Sequence, residues 1–190
     1  MIKGGKGGGN TRTGLVFEGK TDLSTFLSKI PGYEIDKGIV YFHSRKVAKI
    51  FKKHKLYVFL KELEINWKEI ISRKLLPDDS IYVLINNTLF IIECKHQQRQ
   101  GSVDEKLQTC DFKKKQYQRL FAPANIDIQY IYLLNDWFRQ PKYKDVLDYI
   151  ISVGCQYYFE YIPLKKSVSL FLGNLLMIDV RGLFYAQSLF

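Results

Sequence analysis

Apolar residues follow two different periods along the chain, and together they predict helices and strands. Side chains spaced at three or four residues, typical of a helix with one buried face, predict helices at 13–30, 56–71, 103–121 and 141–152, with Asp22 as an alternative start of the first. Shorter apolar runs predict strands at 81–85, 88–92, 126–134 and 156–162, and a strand or an extended link at 39–42. The clearest helical stripe is expected to lie in the core: Leu56, Phe59, Leu60, Leu63, Trp67, Ile70 and Ile71.

The order of these segments predicts an α/β fold. Asn86-Asn87 separates strands 81–85 and 88–92 and favours a turn, so the two strands are expected to form an antiparallel hairpin. Two strand–helix alternations follow, which implies a mixed sheet flanked by helices. The length of 190 residues favours a single domain, expected over 11–190 after a flexible Gly/Lys-rich arm at 1–10.

Charged residues gather at one end of the predicted hairpin. Asp78 opens the first strand, and Glu93 and Lys95 end the second strand two positions apart. Because side chains alternate across a strand, Glu93 and Lys95 project from one face while Cys94 points away, and antiparallel pairing returns Asp78 alongside them. One interpretation is a structural Glu–Lys ion pair; the other is a pair of carboxylates that holds a divalent cation.

Composition links this cluster to a polyanion. Lysine and arginine number 29 against 19 acidic residues, which gives a formal net charge of +10 and suits nucleic acid or an anionic membrane surface. No apolar run is long enough to span a bilayer and the amino terminus has no secretory h-region, so we expect a cytoplasmic protein without a membrane partner. The 3 cysteines have no metal-site spacing and are expected to be reduced thiols. Cation-binding carboxylates on a basic protein indicate metal-dependent cleavage of a phosphodiester.

Pro77-Asp78, Glu93-Cys94-Lys95 and the helix–hairpin–helix–strand order together resemble the PD-(D/E)XK nuclease superfamily, and within it the small type II restriction endonucleases. Segments 15–18, 91–95 and 101–111 add to a resemblance that extends over residues 11–162. It implies a restriction-endonuclease-like core, with a mixed sheet of at least four strands and helices on both sides. It also implies cleavage of double-stranded DNA to 5′-phosphates with Mg²⁺, for which Mn²⁺ is expected to substitute, and no organic cofactor.

The resemblance also suggests a role for each charged residue. Asp78, Glu93 and the backbone carbonyl of Cys94 are expected to bind the metal through hard oxygen ligands. Lys95 is expected to orient or deprotonate the attacking water and to stabilise the charge that develops on the phosphorus.

Two further acids have open assignments. The superfamily motif has one acid after proline whereas this chain has two, so Asp79 is an alternative metal ligand to Asp78. Glu18, on the first predicted helix, is expected by resemblance to add an outer-sphere or second-metal contact, although its spacing alone is that of a solvated helix carboxylate.

Other polar residues are candidates for contacts with DNA or with the active site. Gln97 follows the motif directly and is either a polar strand exit or such a contact. Lys113, Lys114 and Lys115 either follow the DNA backbone or form a solvated helix face. Lys114 interrupts an apolar helical stripe. Either its stem packs on the apolar face while its ammonium reaches water, or the side chain faces inward near the metal.

These observations predict a type II restriction enzyme of a restriction-modification system. Because such enzymes cut palindromic sites, a homodimer is expected from the symmetry of the site rather than from any residue. Two alternatives stay open: a structure-specific repair or junction-resolving nuclease of the same fold, and a non-catalytic basic DNA-binding protein whose acids form ion pairs.

Overall fold

The computed structural model describes residues 23–28, 31–98 and 103–160, although not the side chains of Phe26, Val103 and Asp104. Within these ranges the chain forms a seven-stranded sheet whose strands lie side by side in sequence order. The strands are β1 (Tyr33–Asp36), β2 (Ile39–Phe42), β3 (Arg45–Phe51), β4 (Asp79–Val83), β5 (Thr88–Lys95), β6 (Asp127–Leu134) and β7 (Gln156–Phe159).

Strand direction divides the sheet into two parts. Neighbouring strands from β1 to β5 are antiparallel, whereas β5, β6 and β7 run parallel to one another. Each parallel connection passes through a helix, as parallel strands require. The sheet is mixed and flanked by helices, so the predicted α/β class is confirmed.

The helices surround this sheet. They are α1 (Leu23–Leu27), α2 (Lys55–Glu62), α3 (Val103–Lys106), α4 (Cys110–Phe121) and α5 (Lys144–Ser152). Single 3₁₀ turns lie at Trp67–Glu69, Leu107–Thr109, Ala122–Ala124, Asp136–Arg139 and Pro141–Tyr143. Among the described residues, no helix is long and apolar enough to cross a membrane. All 3 cysteines are free thiols.

Both faces of the sheet are buried, and the strand period distributes the apolar residues between them. One face, here called the α4 face, packs Leu89 and Ile91 of β5 and Tyr130 and Tyr132 of β6 against α2, α4 and α5. The opposite face carries the alternate residues of β5 and β6 and packs against α1: Phe90, Ile92, Ile131 and Leu133. Because β5 and β6 are buried on both sides, they form the rigid centre of the molecule.

The predicted helix at 56–71 is shorter than expected. α2 ends at Glu62, and Glu64 has a left-handed backbone with φ of 59°, which a helix cannot continue through. Asn66 then caps the 3₁₀ turn by accepting a hydrogen bond from the Lys68 amide at 3.3 Å. The apolar stripe nevertheless lies in or against the core, as predicted.

The predicted hairpin exists with a longer turn. β4 ends at Val83, which pairs with Thr88, so residues 84–87 form the connection instead of Asn86-Asn87 alone. Asn87 takes a left-handed backbone, and its side chain fixes the turn by accepting from the Tyr82 hydroxyl at 2.5 Å and donating to the Asn125 carbonyl at 2.6 Å.

Other segments compare as follows. The strands at 39–42, 126–134 and 156–162 are confirmed as β2, β6 and β7, and the helix at 141–152 as a 3₁₀ turn followed by α5. The segment 103–121 is helical with a 3₁₀ turn inside it. The arm at 1–10, Glu18 and most of the helix at 13–30 lie outside the described residues.

Candidate active site

The register of β4 and β5 brings Asp78 opposite Glu93. Asp79 pairs with Ile92, so the preceding residue lies beside the end of β5. The Asp78 carboxylate accepts a hydrogen bond from the Cys94 amide, with 2.9 Å between Oδ2 and N. This bond fixes the exposed carboxylate at the edge where the antiparallel hairpin meets the parallel part of the sheet.

The two neighbouring aspartates lie on different sides of β4. Ile81 and Val83 belong to the core opposite α4, and Asp79 shares their side by strand alternation. Asp79 is buried, with 6% of its surface exposed, whereas Asp78 is exposed and contacts β5. Asp78 is therefore the acid that lies on the same side as Glu93.

Glu93 is a buried carboxylate held between two lysines. The Lys95 ammonium donates to Oε2 at 2.7 Å, and the Lys113 ammonium donates to both Oε1 and Oε2 at 2.8 Å. Only 8% of the Glu93 side chain is exposed. Lys95 comes from the same strand two residues on, and Lys113 comes from the first turn of α4, which covers this face.

The electrostatics of Glu93 combine two opposing effects. Burial by itself raises the pKa of a carboxyl group, but the charges of Lys95 and Lys113, together with their hydrogen bonds, hold the pKa of Glu93 below its ordinary value. Glu93 is therefore a carboxylate in a poorly hydrated position, compensated by two ammonium groups. A buried charge without such partners would be strongly unfavourable.

The three consecutive lysines of α4 have different surroundings. Lys113 reaches Glu93, whereas Lys114 donates to the Gly154 carbonyl at 2.7 Å and so ties α4 to the end of α5. Lys115 is 66% exposed and pairs with Asp111 at 2.8 Å. The lysine that reaches the motif is thus Lys113. Lys114, which the sequence allows to face inward near the metal, instead makes a structural contact away from Glu93.

Buried tyrosine side chains of β6 and α4 lie close to Glu93. Tyr132 pairs with Glu93 across β5 and β6, and its hydroxyl donates to the Lys106 carbonyl at 3.1 Å. The buried hydroxyl of Tyr117 has no hydrogen-bond partner among the described residues, whereas the Tyr130 hydroxyl lies close to Glu93 and Tyr132. Burial first, and then the negative charge of Glu93, raises the pKa of both tyrosines, so both hydroxyls keep their protons.

Asn135 fixes the chain just after the motif, and sequence reasoning missed it. Its backbone amide donates to the Lys95 carbonyl at 3.2 Å. Its side chain accepts from the Gln97 amide at 3.1 Å and donates to the Gln97 carbonyl at 2.8 Å. Asn135 follows β6 directly. In the sequence this role is indicated only by a polar residue at the end of a predicted buried strand, and parallel pairing with β5 places that strand end beside the motif.

Gln97 is backbone-anchored but has an unsatisfied side chain. It is only 6% exposed, and neither the oxygen nor the nitrogen of its amide finds a hydrogen-bond partner in the described part of the chain. Leaving a buried polar group unpaired costs about 1–3 kcal/mol. Among the described residues, the Gln97 amide therefore leaves a donor and an acceptor free for the contact that the sequence suggests.

The donors at this edge fit a divalent cation. Asp78 and Glu93 offer carboxylate oxygens from adjacent strands, and the Cys94 carbonyl lies 3.5 Å from the Lys95 ammonium in the same cluster. A positive group, the Lys113 ammonium, already contacts both oxygens of Glu93. Within 23–28, 31–98 and 103–160, no three His, Cys, Asp or Glu residues form a metal-binding group, so an ion here would need backbone and water oxygens as well.

Comparison with known protein families agrees with this geometry. Residues 36–118 match the model of the PD-(D/E)XK nuclease superfamily domain, and this range contains Asp78, Glu93, Lys95 and Lys113. This region therefore has the sequence pattern of a PD-(D/E)XK nuclease superfamily domain. A search of curated proteins and a search of solved structures found no match.

The match to the PD-(D/E)XK superfamily implies a general activity. It implies a nuclease, which is a hydrolase of phosphodiester bonds, with DNA as the implied substrate. Nucleases of this superfamily generally use divalent metal ions. The seven-stranded mixed sheet with flanking helices is consistent with that fold.

Proposed function

We propose that the chain is a Mg²⁺-dependent, sequence-specific endonuclease that cuts double-stranded DNA and leaves 5′-phosphates, as a type II restriction enzyme does. The observation that carries this proposal is the buried Glu93 carboxylate between two ammonium groups, with Asp78 on the adjacent strand. A structural ion pair needs one lysine and has no use for the second lysine or for the neighbouring acid.

Asp78 and Glu93 are proposed to hold the cation, together with the Cys94 carbonyl. A divalent ion in that position supplies positive charge next to the phosphate and acidifies water, for which Mn²⁺ serves as well as Mg²⁺. The Asp78 carboxylate is already oriented for this task, because the Cys94 amide holds one of its oxygens. The low exposure of Glu93 strengthens every electrostatic interaction made there.

Lys95 is proposed to act on the attacking water and on the phosphate. Its ammonium lies 2.7 Å from the Glu93 carboxylate and 3.5 Å from the Cys94 carbonyl, so it is close to two of the three proposed metal ligands. From there it can orient the attacking water by a hydrogen bond and, with its positive charge, stabilise the negative charge that builds up on the phosphate oxygens. Gln97 is proposed to add a polar contact to the same water or phosphate.

A cleavage assay tests the proposal directly. The protein is incubated with phage DNA and Mg²⁺, and the products are separated on a gel, with Glu93→Gln and Lys95→Met as inactive variants. Lys144→Met is the matched control, because Lys144 also pairs with a carboxylate on a helix, at 2.9 Å from Asp148, but lies on the exposed side of α5. We expect discrete bands with the native chain and the control, and intact DNA with the two site variants.

The outcomes separate this function from its alternatives. A smear, or a preference for branched DNA, would indicate a repair or junction-resolving nuclease. Retarded but intact DNA with every variant would indicate a binding protein. Labelling the 5′ ends of the fragments tests for 5′-phosphates, and light scattering with and without DNA tests the proposed homodimer. Glu18→Gln tests the outer-sphere or second-metal contact proposed for Glu18, with retention of full activity as the contrary result.

A further inference from the structure

Lys113 occupies the position on Glu93 that suits a metal ion. Its ammonium lies 2.8 Å from both carboxylate oxygens, whereas Lys95 reaches only Oε2, at 2.7 Å. A cation shared by both oxygens of a carboxylate is a common arrangement for a bidentate ligand. The Glu93 carboxylate therefore cannot keep its full contact with Lys113 and also offer both oxygens to a divalent ion.

The exposure of the two lysines favours an exchange at Lys113. Glu93 contacts both ammonium groups, and Asp78 brings a second carboxylate to the same cluster. Lys113 is the better placed of the two to leave, since 24% of its side chain is exposed against 16% for Lys95. Its four-carbon stem is flexible, and its ammonium pairs with a phosphate as readily as with a carboxylate.

We propose that Lys113 is a mobile catalytic lysine, which holds Glu93 in the absence of a metal ion and transfers to the DNA phosphate when ion and DNA bind together. This inference rests on the proposed nuclease function and extends it by one residue and one step. In the metal-free protein Lys113 contacts both oxygens of Glu93 and holds the carboxylate in place. In the complex it adds a positive charge beside the phosphate that is cut.

The exchange couples the two ligands of the site. Without DNA, an ion must displace Lys113 from Glu93 and the ammonium gains nothing in return. With DNA, the displaced ammonium finds a phosphate, so the ion binds more tightly. Such coupling is reciprocal and can be measured from either ligand. Some of the coupling between DNA and the ion comes from phosphate oxygens that bind the ion directly. The exchange predicts an additional coupling, which is lost when Lys113 is neutralised.

The test measures Ca²⁺ binding by calorimetry, with and without a duplex taken from a cleavage site mapped on phage DNA. The proteins are the native chain, Lys113→Met, Lys113→Gln, the charge-preserving Lys113→Arg, and Lys144→Met as control, each checked for folding by thermal melting. We expect both neutral Lys113 variants to bind Ca²⁺ about tenfold more tightly without DNA, and the gain in affinity caused by DNA to shrink by a similar factor. Lys113→Arg, which keeps a positive charge beside Glu93, should bind Ca²⁺ without DNA no more tightly than the native chain does, and Lys144→Met should behave like the native chain.

Two results would overturn the exchange. One is a Ca²⁺ affinity without DNA that does not change when Lys113 is neutralised. The other is a gain caused by DNA that stays the same in Lys113→Met and Lys113→Gln, as expected of a lysine with a fixed structural role. If one neutral variant fails to fold, the other decides, and Lys113→Arg retains the charge needed for the ion pair.

Failure of the nuclease function gives a different pattern. Glu93→Gln should abolish the Ca²⁺ binding that the native chain shows. If the native chain binds Ca²⁺ no better than Glu93→Gln, both the metal site and the exchange are wrong. If Glu93 is required for binding while neutral Lys113 variants change nothing, the metal site stands and only the exchange is wrong.

Discussion

The two halves of β5 show how one strand serves two purposes. Residues 88–92 are all buried, and the apolar side chains among them divide between the two faces of the sheet. The second half here comprises residues 93–95 together with the two residues that follow the strand; it contains a carboxylate, a lysine and a glutamine, of which Glu93 and Gln97 are also buried. The first half stabilises the fold by removing apolar surface from water, whereas the second half buries polar groups at some cost to stability.

This difference predicts that the halves respond oppositely to substitution. Changes in 88–92 should lower the free energy of unfolding and leave the chemistry of the folded molecules intact. Changes in 93–97 should alter the rate of cleavage far more than the stability. Polar groups kept at a buried edge despite their cost are typical of functional sites.

The largest effect is expected for Lys95→Met. Loss of a group that moves a proton or stabilises developing charge typically lowers the rate by about 10²–10⁴-fold. The thermal midpoint should change little, because Lys113 still compensates Glu93. Single-turnover cleavage of a mapped duplex and thermal melting measure the two quantities. A variant that cleaves at the native rate would remove Lys95 from the proposed mechanism.

Ile91→Ala should produce the converse result. Ile91 is fully buried on the α4 face, two residues before Glu93, and its truncation is expected to cost about 2–5 kcal/mol in free energy of unfolding. Urea denaturation followed by circular dichroism gives that value. Cleavage per folded molecule, measured well below the melting temperature, should stay close to native; a collapse of that rate would show that the two halves of β5 are not separable.

The sequence predicts the first half of β5 more easily than its surroundings. A continuous apolar run from Thr88 to Ile92 can only be satisfied by burial on both faces, so the strand and its place in the centre of the sheet follow from local pattern. β3 also pairs on both sides, yet Arg45, Lys46 and Lys49 interrupt its apolar residues and a bulge shifts its register against β2, so the segment has no alternating strand pattern. Pairing with β2 and β4 determines that strand, and pairing between distant segments leaves no local pattern.

The contacts of the candidate site also differ in how far the sequence predicts them. The motif residues Asp78, Glu93 and Lys95 are adjacent through one hairpin, so strand alternation alone predicts that they meet. The bond between Gln97 and Asn135 joins residues 38 positions apart and depends on the parallel pairing of β5 with β6. The sequence offers three consecutive lysines as candidates, and only the orientation of α4 distinguishes Lys113, which contacts Glu93, from Lys114, which contacts the Gly154 carbonyl.

A smaller effect on both quantities is expected for Asn135→Ala. The substitution removes the two side-chain hydrogen bonds to the Gln97 backbone, with a cost of about 1–3 kcal/mol in stability. Because these bonds position the chain next to Lys95, cleavage should also slow, by about 10-fold or more. Asn86→Ala, in the exposed turn between β4 and β5, is the control and should change neither quantity appreciably. An unchanged cleavage rate in Asn135→Ala would mean that the exit of β5 needs no such positioning.

The smallest and most discriminating effect concerns the Gln97 side chain. Because both atoms of its amide are buried without a partner, Gln97→Met should raise stability by about 1 kcal/mol, which corresponds to about 2–4 °C in the melting temperature of a domain of this size. If the amide contacts the water or the phosphate, the same variant should cleave DNA about 10-fold more slowly.

Only a functional group gives opposite signs in the two measurements on Gln97→Met. A variant that is more stable and fully active would show that the amide contributes nothing to the reaction. A variant that is less stable would show that the amide has a structural partner in the native protein. Gln98→Met, at the exposed neighbouring position, controls for the loss of a polar group near the motif. A gain in stability together with a loss in cleavage rate would show that Gln97 serves the reaction. If the residue served only packing, the more stable variant would cleave DNA at the native rate.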